Sequence, residues 1–147
     1  MNNFKSILTA VAMAGASFSA AALAQNAASS LTVNFTGIEE KEGALMGELV
    51  DSEAAYNGKS PPVRAVMVTV DNAEVATMIE GLAPGTYAIK LFHDVDGDGK
   101  MSTNPYGMPT EPFAFSNNAQ GNMGPAKWAD AKFEVKAGAN THSIIIQ

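Results

Sequence analysis

The sequence predicts an all-β fold, an antiparallel sandwich of about seven strands interrupted by one long irregular loop. Three observations carry that reading. Apolar and polar residues alternate with a period of two in segment after segment, turn-forming residues separate the segments at short intervals, and no sustained 3.6-residue periodicity occurs anywhere after the first 24 residues.

Those first residues are a different kind of sequence. Lys5 sits in a short polar stretch, an apolar run extends from Ile7 to Leu23, and Ala22-Leu23-Ala24 supplies the small-x-small residues of a signal-peptidase site. Residues 1–24 therefore read as a secretory signal peptide with Gln25 as the first mature residue. The run is shorter than the roughly 20 residues a spanning helix needs and holds Gly15, Ser17 and Ser19, which argues against a retained anchor. Export to the periplasm or beyond the cell follows, with no membrane span after cleavage. Residues 25–30 are small and polar and read as a flexible lead-in to a single domain over 31–147.

Within that domain Leu31, Val33 and Phe35 alternate with Thr32, Asn34 and Thr36, a half-buried strand ending near Gly37. Gly43 to Val50 forms a second. Asp51 to Pro62 is polar and ends in Pro61-Pro62, which no strand interior accepts. Arg64 to Val70 places Val66, Val68 and Val70 on one face, and Asp71-Asn72 marks a turn. Glu74 to Ile79 is a further strand. A tight turn, Gly81-Leu82-Ala83-Pro84-Gly85, leads into Thr86 to His93, with Tyr87, Ile89 and Leu91 on one side. Alternation then stops until Asp130, although Phe113, Phe115 and Trp128 indicate that this stretch packs on the body, and Trp128 to Ala131 can close one helical turn. Ala131 to Lys136 and Thr141 to Gln147 complete the strands, joined by the hairpin-like Ala137-Gly138-Ala139-Asn140. Ile144-Ile145-Ile146 reads as a buried strand, and as a pairing edge only if exposed.

Composition narrows the function. The chain has 9 basic and 15 acidic residues, a net charge of −6, which becomes −7 once Lys5 is removed with the leader. Nucleic acid and anionic lipid both demand clustered Lys and Arg, and Arg64 is the one arginine. Cysteine is absent, so disulfides, thiolate metal sites and thiol nucleophiles are excluded.

The irregular loop opens with Asp94-Val95-Asp96-Gly97-Asp98-Gly99-Lys100. Three carboxylates in five residues repel one another, and a hard cation that takes six to eight oxygens at irregular angles relieves the repulsion. The Asp-x-Asp-x-Asp-Gly pattern matches the first half of an EF-hand loop. The second half does not match, because the twelfth position, where a bidentate Glu is needed, is Pro105. The candidate Ca²⁺ ligands are Asp94, Asp96, Asp98, the Lys100 carbonyl, Asn104 and a distant Glu111, with Ser102 a further neutral oxygen. The same residues also suit a polar turn that holds no ion. Mg²⁺ demands stricter octahedral geometry, and zinc would find only His93 as a nearby nitrogen.

Gly81-Leu82-Ala83-Pro84-Gly85-Thr86-Tyr87-Ala88-Ile89, Phe92-His93-Asp94, Asp96 to Lys100, Asn104, Gly107-x-Pro109-x-Glu111, Phe115 to Asn118, Gly124-Pro125, Ala131 and Phe133 together resemble an exported bacterial family, domain-of-unknown-function family number 2141. The likeness covers nearly all of the chain after the leader. Members of the family commonly have Asn where this chain has Asp96 and Asp98, and an acid where it has Ser102. The resemblance implies no activity. The Leu-x-Pro-Gly-Thr-Tyr turn is also similar to those of prealbumin-like and bacterial surface modules, which implies an Ig-like or prealbumin-like sandwich.

No enzyme is expected. Ser116 lies outside any nucleophile-elbow context, and His93 and His142 read as solvated residues at strand ends. Glu111 with Asp94 could pair as hydrolytic carboxylates, though so short a chain leaves little room for a cleft. A binding or adaptor module of the cell envelope, contacting a glycan or an envelope protein, is the favoured expectation. A metal-free structural subunit of an envelope assembly is the alternative. Tyr106, Phe113, Phe115 and Trp128 could form a binding platform or, more simply, a plug over one end of the sandwich.

Overall fold

The computed structural model describes residues 28–147; the predicted signal peptide and residues 25–27 of the lead-in lie outside the described residues. Eight strands, two short α-helices and one 3-10 turn follow in order: β1 (Ser29–Thr36), β2 (Ala44–Val50), α1 (Glu53–Tyr56), β3 (Arg64–Thr69), β4 (Val75–Leu82), β5 (Gly85–Asp94), β6 (Phe113–Phe115), the 3-10 turn (Ser116–Asn118), α2 (Trp128–Ala131), β7 (Phe133–Val135) and β8 (Ala139–Ile145). One sheet has the order β4-β1-β8. The other runs β3-β2-β5, and the far edge of β5 is shared by β7 along Gly85–Tyr87 and β6 along Lys90–Phe92.

This is the predicted all-β sandwich, with the inward residues that alternation picked out. Leu31, Val33 and Phe35 of β1, Leu45 and Leu49 of β2, Ile89 and Leu91 of β5, and Ile144 of β8 fill the space between the sheets. β1 begins at Ser29, so Ser29 and Ser30 are strand rather than lead-in.

Both glycine turns differ from the local reading. Gly81 and Leu82 belong to β4, and the reversal narrows to Ala83-Pro84, which carries the chain from one sheet to the other. Ala137–Asn140 likewise joins no hairpin. β7 lies on β5, whereas β8 crosses the sandwich and pairs parallel to β1 from Ser30↔Ala139 to Thr36↔Ile145. The Asn140 side chain closes this crossing, accepting from Lys136 N–H at 2.9 Å and donating to Lys136 carbonyl at 2.7 Å. Turn chemistry dictates that the chain reverses; burial of Ile144 and Ile146 decides which strand it then joins.

A second apolar cluster lies on the outer face of the β5 sheet, where Val50, Ala88, Phe115, Ala126 and Ala131 surround Tyr56, with Trp128 packed alongside. Helix α1 thus occupies part of the connection read as merely polar, capped by Ser52 Oγ accepting from Ala55 N–H at 3.3 Å. Tyr56 donates its hydroxyl to the Ala126 carbonyl at 2.9 Å; burial, and then the nearby Asp130 carboxylate, push its pKa up to about 12. Lys90 bridges this cluster, 2.8 Å from Glu48 and 2.7 Å from the Tyr56 carbonyl.

The outer edge of β8 is covered at its C-terminal end. Asn118 Oδ1 accepts from Ile145 N–H at 2.9 Å, and Phe113 and Gln147 exchange backbone hydrogen bonds at 3.0 and 3.3 Å. The residues expected to be either core or pairing edge are therefore core at Ile144 and Ile146, with only Ile145 turned outward.

Candidate metal centre

Asp94 ends β5, opposite Ala44 at the start of β2. The preceding residue, Gly43, has φ +73°, and a Cβ there would collide with the Asp94 carbonyl; glycine is what lets β2 begin so close. Asp94 is only 3% exposed, yet it is not left without partners. Its Oδ1 accepts from Gly97 N–H at 2.9 Å and Asp98 N–H at 3.2 Å, and its Oδ2 from Gly99 N–H at 3.0 Å. The loop thus wraps its own amides around the carboxylate, a concave donor set that stabilises negative charge.

Glu111 reaches the same place from the other side. Its Oε1 accepts from Val95 N–H at 3.0 Å and its Oε2 from Ser102 N–H at 2.8 Å, so one side chain ties the two ends of the acidic loop together. Asp96 completes the group, accepting from Asp98 N–H at 3.1 Å. Asp94, Asp96 and Glu111 each place a carboxylate oxygen within 4.8 Å of the others, and this group could hold a metal ion.

The other predicted ligands lie outside that group of acids. Asp98 Oδ1 accepts from Lys100 N–H at 2.8 Å, a local turn bond that does not involve the Lys100 carbonyl. Asn104 Oδ1 accepts from Tyr106 N–H at 2.9 Å and Met108 N–H at 3.1 Å. It braces a small hairpin in which Thr110 N–H donates to the Ser102 carbonyl, Thr103 faces Pro109, and Asn104 N–H donates to the Met108 carbonyl. The sequence carried the signal for this hairpin: Asn104-Pro105-Tyr106-Gly107 has the turn preferences Asn, Pro and, at the fourth position, Gly, here at φ +79°.

An ionised carboxylate offers about four acceptor sites. The backbone takes three at Asp94, two at Glu111 and one at Asp96, so free capacity rises from the buried to the exposed member. Asp94 acts first as the organiser of the loop, and Asp96 and Glu111 have lone pairs to spare. The same bonds count against Asp94 and Glu111 as a hydrolytic pair, since both are engaged in holding backbone.

The predicted aromatic platform is divided by the fold. Phe115 and Trp128 belong to the cluster around Tyr56 on the outer face of the β5 sheet, not to a plug over the sandwich end, while Tyr106 stands 91% exposed at the hairpin tip. His93 is not a solvated edge residue: alternation continues from Tyr87, Ile89 and Leu91 and points it inward, where it is fully buried. Its Nε2 lies 2.7 Å from the Glu42 carbonyl, which can only accept, so the proton resides on Nε2. His142 stacks on Phe133 with centroids 4.1 Å apart and accepts Asn117 N–H at 3.2 Å; burial lowers its pKa. Ser116, also fully buried, accepts from Ile89 N–H at 2.9 Å and donates to the Ala131 carbonyl at 2.6 Å, pinning α2 to β5. Only the unusual Ser-Asn-Asn run hinted at this corner, where Asn117 and Asn118 both adopt positive φ.

A family model described as an uncharacterized protein conserved in bacteria, DUF2141, matches residues 33–143. The chain belongs to this family. The match runs from within β1 to within β8, so the DUF2141 unit includes both sheets, the acidic loop and its Glu111 clamp. No curated protein and no solved structure matches the chain.

Proposed function

We propose that this DUF2141 protein is an exported, non-enzymatic binding or adaptor module of the cell envelope whose acidic loop holds a structural Ca²⁺ ion. The observation that carries the metal reading is the convergence of Asp94, Asp96 and Glu111 oxygens within 4.8 Å. Three oxygens that close need only small side-chain shifts to meet one Ca²⁺ ion at its usual oxygen distances of about 2.3–2.6 Å. The leader-like residues 1–24 support export. The burial of Ser116 and His93 supports a non-enzymatic role, because neither can meet a substrate.

Thermal unfolding of the purified protein in EDTA and in Ca²⁺ tests the metal. Dissociation constants of extracellular modules run from about 10⁻⁴ to 10⁻³ M, and ligand at about 100 times the constant stabilises by roughly 2.7 kcal/mol. The midpoint is expected to rise by on the order of 10 °C, and the rise should be abolished in Asp96→Ala. Equal midpoints with and without Ca²⁺, or an undiminished rise in the variant, would remove the ion from this reading.

The metal-free alternative, a structural envelope subunit, is favoured by a different observation. Backbone amides already satisfy much of Asp94 and Glu111, so the loop has a source of order other than an ion. The same titration separates the two readings.

A further inference from the structure

We infer that the outer edge of β3 is a self-pairing surface, which joins two copies of this chain through an antiparallel β3–β3 contact about a two-fold axis. The direction of the β3 backbone groups follows from its register. Val70 N–H donates to the Gly43 carbonyl at 3.1 Å, and Ala44 faces Thr69. Hydrogen bonding to β2 in an antiparallel pair falls on alternate residues, so Arg64, Val66 and Val68 bond to β2 while Ala65, Met67 and Thr69 direct their N–H and C=O groups the other way. Among the described residues these groups have no hydrogen-bond partner, and all three residues are exposed.

A second copy satisfies every one of them at once. With Met67 opposite Met67 of the second copy, Ala65 falls opposite Thr69, and these are the residues whose backbone groups are free. The same register sets inward Val66 against Val68 of the second copy, so both cores remain on one side of the joined sheet. Charge is complementary as well. No acid lies within β3, and Arg64 falls opposite Val70 of the second copy, beside its exposed Asp71. Met67, 68% exposed in the single chain, would be covered by its own counterpart.

The other edges suit such a pairing less well. The C-terminal end of β8 is covered by Asn118 and Phe113. β4 carries Glu80, with Glu74 just before it and no basic residue, so a two-fold pairing there would gather four carboxylates along one seam. β3 also lacks the lysine or proline within the strand that commonly blunts an open edge.

The chain has no cysteine, so a single introduced thiol reports the register without interference. Residues opposite each other in such a hydrogen-bonded pair have Cα atoms about 5.5 Å apart, within disulfide range. Met67→Cys is expected to form a cross-linked dimer under mild oxidation, and Met78→Cys, equally exposed on the β4 edge, is expected to stay monomeric. Sedimentation of the wild type should show twice the monomer mass at high micromolar concentration, dissociating on dilution because a one-strand interface is small. Met67→Lys, which sets two ammonium groups together on the axis, should sediment as a folded monomer throughout. A wild type that remains monomeric to millimolar concentration, a Met67→Lys protein that still doubles, or Met78→Cys cross-linking as readily as Met67→Cys would overturn the proposal.

Discussion

The sandwich body and the segment from Asp94 to Ala131 are held in different ways. In the body, aliphatic side chains from distant strands meet, and β1 owes its place to β4 on one side and β8 on the other. In the segment, order comes from side chains that accept backbone amides a few residues away: Asp94 for the acidic loop, Asn104 for the hairpin, Glu111 to join them. Apolar burial is non-directional and tolerant of small shifts, whereas a carboxylate accepting three amides defines where each of them must be. The difference teaches that the acidic loop and its hairpin keep their shape with few large apolar residues, and it predicts that their order can be lost without loss of the body.

Breaking the body should have the largest effect. Phe35→Ala removes a fully buried side chain from between the sheets and is expected to cost about 3–5 kcal/mol, read as a lower denaturant midpoint for the whole domain. Asp94→Ala strips three amides of their acceptor and should cost roughly 2–3 kcal/mol. Its signature is local: amide exchange should quicken at Gly97, Asp98 and Gly99 while the β1 amides stay protected. Exchange that quickens equally in both regions would show that the two are one cooperative unit.

Asn104→Ala should be milder, about 1 kcal/mol, with faster exchange confined to Tyr106 and Met108. The smallest effect is the pH dependence of the junction between segment and body. Burial lowers the His142 pKa in the folded state, so the unfolded chain takes up the proton first as pH falls. The contribution of His142 is fully present above its ordinary pKa of about 6.5 and is lost as pH falls from there through the lowered folded value. His142→Phe should therefore flatten the decline in midpoint across that window; a decline as steep as in the wild type would place the titration elsewhere.

Much of this was readable in the residues. Alternation located seven of the eight strands, all but the longer β4 to within about two residues at each end, because a period of two with one buried face leaves little freedom; the three-residue β6 was missed. Asp94, Asp96 and Glu111 were identifiable because carboxylates are few in this stretch. Asn104 was identified by type, and its side chain braces the Asn-Pro-Tyr-Gly hairpin. His93 was misread as an edge residue although its place in the Tyr87, Ile89, Leu91 series already pointed it inward.

By itself, then, the sequence determined the all-β class, the inward face of nearly every strand, the acidic loop and its family. These are local or periodic properties, set by neighbouring residues and by the preference of apolar groups for burial. Tertiary structure alone decided that β8 runs parallel to β1, that Glu111 clamps the acidic loop, that Ser116 pins α2, and that Asn118 caps the C-terminal end of the β8 edge. Each of these depends on which distant segments meet, and neither turn residues nor spacing encode that.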